Sequence, residues 1–186
     1  MSTRYPAALR AALLVAALGS GGARATTVEL PSFDELVRRS EVIARVRVIE
    51  QRVERPVAGA AAGRARTWTT LVVTDALAGA VVAERLVLFQ PGDASTNAAG
   101  VVGQPVHRVG DDVVLFLARV RVHGRDAVIH RGLGYGIYDV GVDGVLVERA
   151  ADVARVPSSA GSLPARLPSL TALHDAVRKA RMVRTP

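Results

Sequence analysis

The sequence predicts an all-β domain, a barrel or sandwich of six or seven short strands, with a short helix before it and a longer one after it. Three observations carry that reading. Apolar residues recur with a period of two, as in Val42, Ala44, Val46 and Val48, the mark of a half-buried strand. Turn signals separate such runs, among them His123-Gly124-Arg125-Asp126 and Asp143-Gly144. Serine caps, Ser32 and Ser169, precede the two stretches with helical spacing.

Ser32-Phe33-Asp34-Glu35 has the spacing of a capping box, with Ser32 as N-cap and Glu35 three residues on. Leu36, Val37, Arg38 and Arg39 complete a short helix, and Ser40 opens the first strand. Arg55–Arg66, rich in Ala, Gly, Pro and Arg, is a loop. Thr67–Thr74 is β-branched and aromatic, a second strand ended by Leu77-Ala78-Gly79. Leu86–Phe89 is a short third strand stopped by Pro91-Gly92, and Asp93–Gln104 is a polar loop. Asp111–Val122 is the strongest element, apolar throughout Val113–Ala118. A hairpin turn at His123–Asp126 leads into Ala127–His130. Gly132, Gly134 and Gly136 interrupt the strand signal at every second position, and Ile137–Val140 resumes it. Asp143-Gly144 predicts a two-residue hairpin into Val145–Val147. Ala151–Pro168 turns Ala-, Ser-, Pro- and Arg-rich, the composition of a linker. Ser169 caps a final helix over 169–184, with Leu170, Leu173 and Val177 on one face and Lys179 and Arg181 near its negative end.

Residues 1–25 read as a secretory signal peptide. Arg4 and Arg10 form a positive start, Ala11–Leu18 is unbroken apolar, and Ala23-Arg24-Ala25 is a small-residue cleavage site before Thr26. Eight apolar residues fall well short of the roughly 20 that a membrane span needs. The expectation is an exported product, periplasmic or extracellular, with no membrane anchor after cleavage. Its barrel domain would occupy 26–150, its linker 151–168.

The chain has 186 residues and a formal net charge of +7. Three Arg and no acid lie in 1–25, the charges of 26–150 cancel, and 151–186 carries +4. A nucleic-acid-binding domain concentrates cations on its folded surface, so the neutral body argues against that partner. The absence of Cys excludes a disulfide scaffold, a thiolate zinc site and an iron–sulfur cluster.

The stretch Ser40-Glu41-Val42-Ile43-Ala44-Arg45-Val46-Arg47-Val48 resembles the first barrel strand of the netrin-like module of tissue inhibitors of metalloproteinases. The Thr-rich strand ending in Leu77-Ala78-Gly79, then Leu86–Phe89 with Pro91, then Asp111–Leu117, a hairpin and a terminal helix continue the likeness over residues 30–180. The order is also similar to that of small secreted bacterial proteins. The resemblance implies a small closed or partly open OB-like barrel, and inhibition by an N-terminal amine and carbonyl that chelate a catalytic zinc. The family is disulfide-stapled and begins with Cys, whereas this mature chain would begin Thr26-Thr27-Val28-Glu29.

No constellation of residues announces an enzyme. His107, His123, His130 and His174 include no i, i+4 pair and no H-E-x-x-H. His123 and His130 flank a hairpin and are candidates to face each other. Asp93-Ala94-Ser95-Thr96-Asn97 echoes a calcium loop, but Ala98 and Gln104 stand where Gly and Glu are needed. Gly132-Leu133-Gly134-Tyr135-Gly136 is no phosphate cradle; on a strand its glycines offer either sharp coiling or a bare surface for a partner chain. No G-x-S-x-G occurs, and His174 and Asp175, adjacent on a helix, cannot orient each other. The pairs Asp34/Glu35 and Asp111/Asp112 read as a helix start and a strand start. Trp68, flanked by Arg64, Arg66, Thr67 and Thr69, is either a core residue or a stacking platform without a second aromatic at matching spacing. No cofactor or metal is expected. The expected function is an exported non-enzymatic binding module, an inhibitor of or partner to a secreted protease, with Thr26, Thr27, Trp68, Gly132, Gly134 and Gly136 as candidate contacts. The alternative is an envelope structural or polyanion-binding protein using Arg178, Lys179, Arg181 and Arg184.

Overall fold

A computed structural model of the chain describes residues 31–56, 65–94, 104–132, 134–149 and 166–182. The expected signal peptide, the cleavage-site residues Ala23, Ala25 and Thr26, the contact candidate Thr27, most of the linker and Arg184 lie outside these. The described chain is mostly sheet with two short helices. In order it runs α1 (Phe33–Arg39), β1 (Val42–Glu54), β2 (Arg66–Ala78), β3 (Arg85–Pro91), β4 (Asp112–Val122), β5 (Arg125–His130), β6 (Tyr138–Val140), β7 (Leu146–Glu148), β8 (Arg166–Leu167) and α2 (Leu170–Met182).

All strands belong to one sheet, in the order β1-β2-β3-β5-β4-β6-β7-β8, with an additional pairing of β1 to β4. β1 is antiparallel to both β2 and β4, β2 to β3, and β4 to β5. β3 meets β5 in parallel at Leu88 and Val128. The pairings therefore trace a circuit from β1 through β2, β3, β5 and β4 back to β1. β6, β7 and β8 extend it from β4.

Alternation sorts the side chains onto two faces. One face of the circuit buries Val42, Ala44, Val46 and Val48 of β1 with Leu71, Val73, Leu86, Leu88, Val113, Leu115, Leu117, Val128 and Ile137. The opposite face of β1 and β4 presents Ile43, Val114 and Phe116 to the helices, where Leu36 and Val37 of α1 and Leu173, Val177 and Ala180 of α2 cover them. This explains the unbroken apolar run of β4: both of its faces are buried. Both helices start as the sequence predicts. Ser32 Oγ accepts from Glu35 N at 3.3 Å and Ser169 Oγ from Ala172 N at 3.2 Å.

One irregularity in β1 reshapes the interior of the circuit. Val48 pairs with Leu71 and Glu50 with Thr70, so Ile49 is an extra residue, a bulge. The bulge shifts the phase of the strand. Gln51 comes opposite Thr69, on the interior side, while Ile49 is expelled to the surface.

Three expected elements are corrected. Gly132, Gly134 and Gly136 do not alternate along a strand: β5 ends at His130, β6 starts at Tyr138, and Tyr135 N–H closes a turn on Gly132 O at 2.8 Å. The Asp143-Gly144 hairpin is wider than two residues. Gly141 N–H bonds Val145 O, and the loop 142–144 places Gly144 at φ +76°, the left-handed geometry of a longer hairpin loop. The linker ends early, because Arg166 and Leu167 pair with β7 as β8. Gly79 does terminate β2, at φ +66°, where a Cβ would lie 1.8 Å from Glu41 O; only glycine passes there.

Candidate functional site

The interior of the circuit is apolar at one end and polar at the other. Along β2, Leu71 and Val73 give way to Thr69 and Thr67, both fully buried; along β3, Leu86 and Leu88 give way to Gln90. His130 follows Val128 on the same face of β5. A strap of residues 104–111, leading into β4, closes this polar end. Gln90 Nε2 donates to Pro105 O at 2.9 Å, Gln51 Nε2 to His107 O at 3.1 Å and to Thr69 Oγ1 at 3.3 Å, and Arg149 Nη1 to Val106 O at 3.0 Å. Gly110 N–H bonds Val48 O, and Val48 N–H bonds Asp111 O.

Within this strap His107 is buried and meets His130, Nε2 to Nε2, at 2.9 Å. The rings are 21° from parallel with centroids 5.1 Å apart. That separation is close to the nitrogen–nitrogen distance plus a ring radius at each end, so the imidazoles meet tip to tip rather than face over face. Such a contact requires one N–H and one lone pair. Burial, reinforced by the Arg149 guanidinium, pushes His107 down to about 3. Burial, His107 and Arg149 hold His130 well below the ordinary imidazole value. Both rings are therefore neutral at pH 7. Arg149 in turn donates to Asp139 and, at 3.1 Å, to Asp111; these carboxylates keep it charged against the opposing effect of burial. His107 Nδ1 and Gln90 Oε1 are buried without a hydrogen-bond partner.

A second cluster lies on the outer face. Thr67, Thr69 and Leu71 point inward, so Trp68 points out and joins neither apolar core. It is nevertheless only 8% exposed. Its register partner on β3 is Phe89, with ring centroids 4.9 Å apart. His123, at the turn between β4 and β5, packs edge-on to Phe89 at 6.3 Å. The Arg125 guanidinium sits 5.3 Å from the Trp68 centroid and pairs with Glu54 at 3.3 Å. The Trp68 indole and Arg125 hold the Glu54 carboxyl below its usual range. His123 and Gly124 both have positive φ, 51° and 78°, a tight two-residue turn that fixes the hairpin tip.

The histidine expectation is thus corrected. His130 faces His107, not His123, and His174 lies 3.3 Å from Asp75 rather than acting with Asp175. Asp111 and Asp112 serve Arg149 and Arg45 respectively. Asp93 is paired with Arg55, while 95–103 of the calcium-like loop lie outside the described residues. Gly134 and Gly136 are buried, leaving Gly132 partly exposed. Of the tail cations, Arg181 donates to Ser40 O at 2.9 Å and helps seat α2. Among the described residues no three His, Cys, Asp or Glu groups converge as metal ligands. Comparison with known proteins returns no matching family model, curated protein or solved structure.

Proposed function

We propose that the chain is an exported, non-enzymatic binding module on an OB-like barrel, and that it engages another extracytoplasmic protein through the outer face of β2 and β3. The observation that carries this is the Trp68–Phe89 pair outside both cores, crossed by Arg125. Trp and Arg are the residue types that dominate protein interfaces, and the Arg125 side chain is exposed beside the Trp68 ring. The OB-like reading is supported by the strand circuit, in which β1 pairs with both β2 and β4 and β3 meets β5 in parallel. Barrels of this kind bind ligands on the face of strands two and three and through the loop joining strands four and five. Trp68 lies on β2, Phe89 on β3 and His123 between β4 and β5, which supports this reading of the face. Export rests on the signal-like residues 1–25, and the absence of G-x-S-x-G and H-E-x-x-H supports a non-enzymatic role.

The test immobilises the chain from Thr26 onward and quantifies proteins retained from the extracytoplasmic fraction of its source. A single saturable partner whose affinity falls about 30-fold or more in Trp68→Ala, the loss typical of a central anchor, supports the reading. Retention unchanged in Trp68→Ala and Phe89→Ala rejects this face. If the partner is a zinc protease, the inhibitor form predicts that one added residue before Thr26 abolishes inhibition; undiminished inhibition rejects chelation. Salt-sensitive heparin retention lost on truncation after Leu167 would favour the polyanion reading instead.

A further inference from the structure

We propose that the His107–His130 pair is a proton-operated latch, which fastens the strap 104–111 across the polar end of the circuit and releases it when the pair takes up a proton. The geometry first assigns the tautomers. One N–H lies between the two Nε2 atoms, and each neutral ring has one further nitrogen. His107 Nδ1 is buried with no partner. A buried donor left unpaired is rarer and costlier than an under-satisfied acceptor, so His107 Nδ1 carries the lone pair. His107 therefore donates through Nε2–H to His130 Nε2. His130 keeps its proton on Nδ1, consistent with its being only half-buried.

This arrangement has no place for another proton. Added at His107 Nδ1, it creates an imidazolium whose new N–H is buried without an acceptor. Added at His130 Nε2, it sets two N–H groups tip to tip and breaks the contact. The charged groups around the pair give no relief. Arg149, behind β7, repels a cation, and its neutralising carboxylates Asp139 on β6 and Asp111 at the end of the strap are already engaged with it. Arg108 adds a further positive charge to the strap, its backbone N–H held by Asp111. Gln51, Thr69 and Gln90, from the other walls, carry no charge. One proton taken from solvent is therefore accommodated only by separation: His130 turns toward water and His107 leaves with the strap. The bonds to Pro105 O, Val106 O and His107 O loosen with it.

Native-state hydrogen exchange reads the latch directly. The Gly110 amide, bonded to Val48 O at 2.8 Å, reports the strap; the Leu115 amide reports the circuit. After correction for intrinsic chemistry, strap opening relative to Leu115 should rise about tenfold per pH unit between pH 6 and 4.5, the slope of one coupled proton. The double variant His107→Gln/His130→Gln, which keeps side-chain amides in both places but has no imidazole to titrate, should flatten the slope. A strap equally protected at pH 7 and 4.5, or an unchanged slope in the double variant, overturns the latch. Should that variant not fold, nitrogen-resolved NMR of the wild-type imidazoles decides. Neutral rings at pH 7, with His107 protonated on Nε2, support it; an imidazolium at pH 7 or the reverse tautomers overturn it.

Discussion

The two ends of the circuit are built on the same strands and differ in what holds them. At one end Val46, Val73, Val113 and Leu115 fill the interior with no polar atom to satisfy. At the other, Gln51, Thr69, Gln90, His107 and His130 are held to one another or to the strap by directional bonds, Thr67 is bonded to Gly92 O and Ala94 N, and two buried acceptors remain unpaired. Apolar packing is indifferent to pH and tolerant of small displacements. A hydrogen-bonded interior is neither, because each buried polar group costs free energy once its partner moves. The apolar end supplies stability; the polar end makes part of the fold conditional.

The largest effect belongs to the apolar end. Leu115→Ala removes a fully buried side chain from the interior and should cost about 2–5 kcal/mol in urea unfolding at pH 7.5. A loss below about 1 kcal/mol would mean that this end is not close-packed. Next comes acid. His107 is pushed down to about 3 in the fold but titrates near 6.5 in the unfolded chain. Between those values the unfolded state binds the proton and the folded state does not, so stability is full above about pH 6.5 and falls as pH falls. From pH 7.5 to 5, His107 alone should cost about 2 kcal/mol. Leu115→Ala should show the same pH slope as wild type, and His130→Gln a shallower one. Equal slopes in all three would remove the polar end as the source.

The apolar end was legible in the sequence and the polar end was not. Val42, Ala44, Val46 and Val48 announce one face of a strand by themselves, and Ser32 and Ser169 announce their helices through local caps. His107 and His130 are 23 residues apart and meet only because a strap folds onto a strand that pairs in parallel with β3, a contact no local spacing encodes. A partial signal existed: His130 lies two residues after Val128, hence on its face. Trp68 is buried, as one of its two readings expects, but the face it occupies was not legible, for a similar reason. Leu71, Val72 and Val73 are apolar on both faces of β2, so the phase of the strand is ambiguous until Thr67 and Thr69 are seen to be buried. The phase shift at Ile49, which brings Gln51 inward, has no turn residue to mark it.

The finest test exchanges one atom group between the two ends. Val73 and Thr69 lie on the same strand and the same face, both fully buried, and their side chains are nearly equal in shape. Val73→Thr places a hydroxyl among Val46, Leu71 and their neighbours, where it has no side-chain partner, and should cost about 1–3 kcal/mol. Thr69→Val removes the acceptor of a 3.3 Å bond from Gln51 Nε2, but that nitrogen keeps its 3.1 Å bond to His107 O. The donor is not orphaned, and the new methyl group is buried in place of the hydroxyl. Thr69→Val should therefore change stability by less than about 1 kcal/mol. Its signature should instead be kinetic and local: faster exchange of the Gly110 amide at pH 7, with Leu115 unaffected. Equal costs for the two swaps would show that polar pairing does not distinguish the ends. A Thr69→Val strap that exchanges no faster would place the closure of that end on the bonds that remain: Gln51 and Gln90 to strap carbonyls, the histidine contact and Arg149.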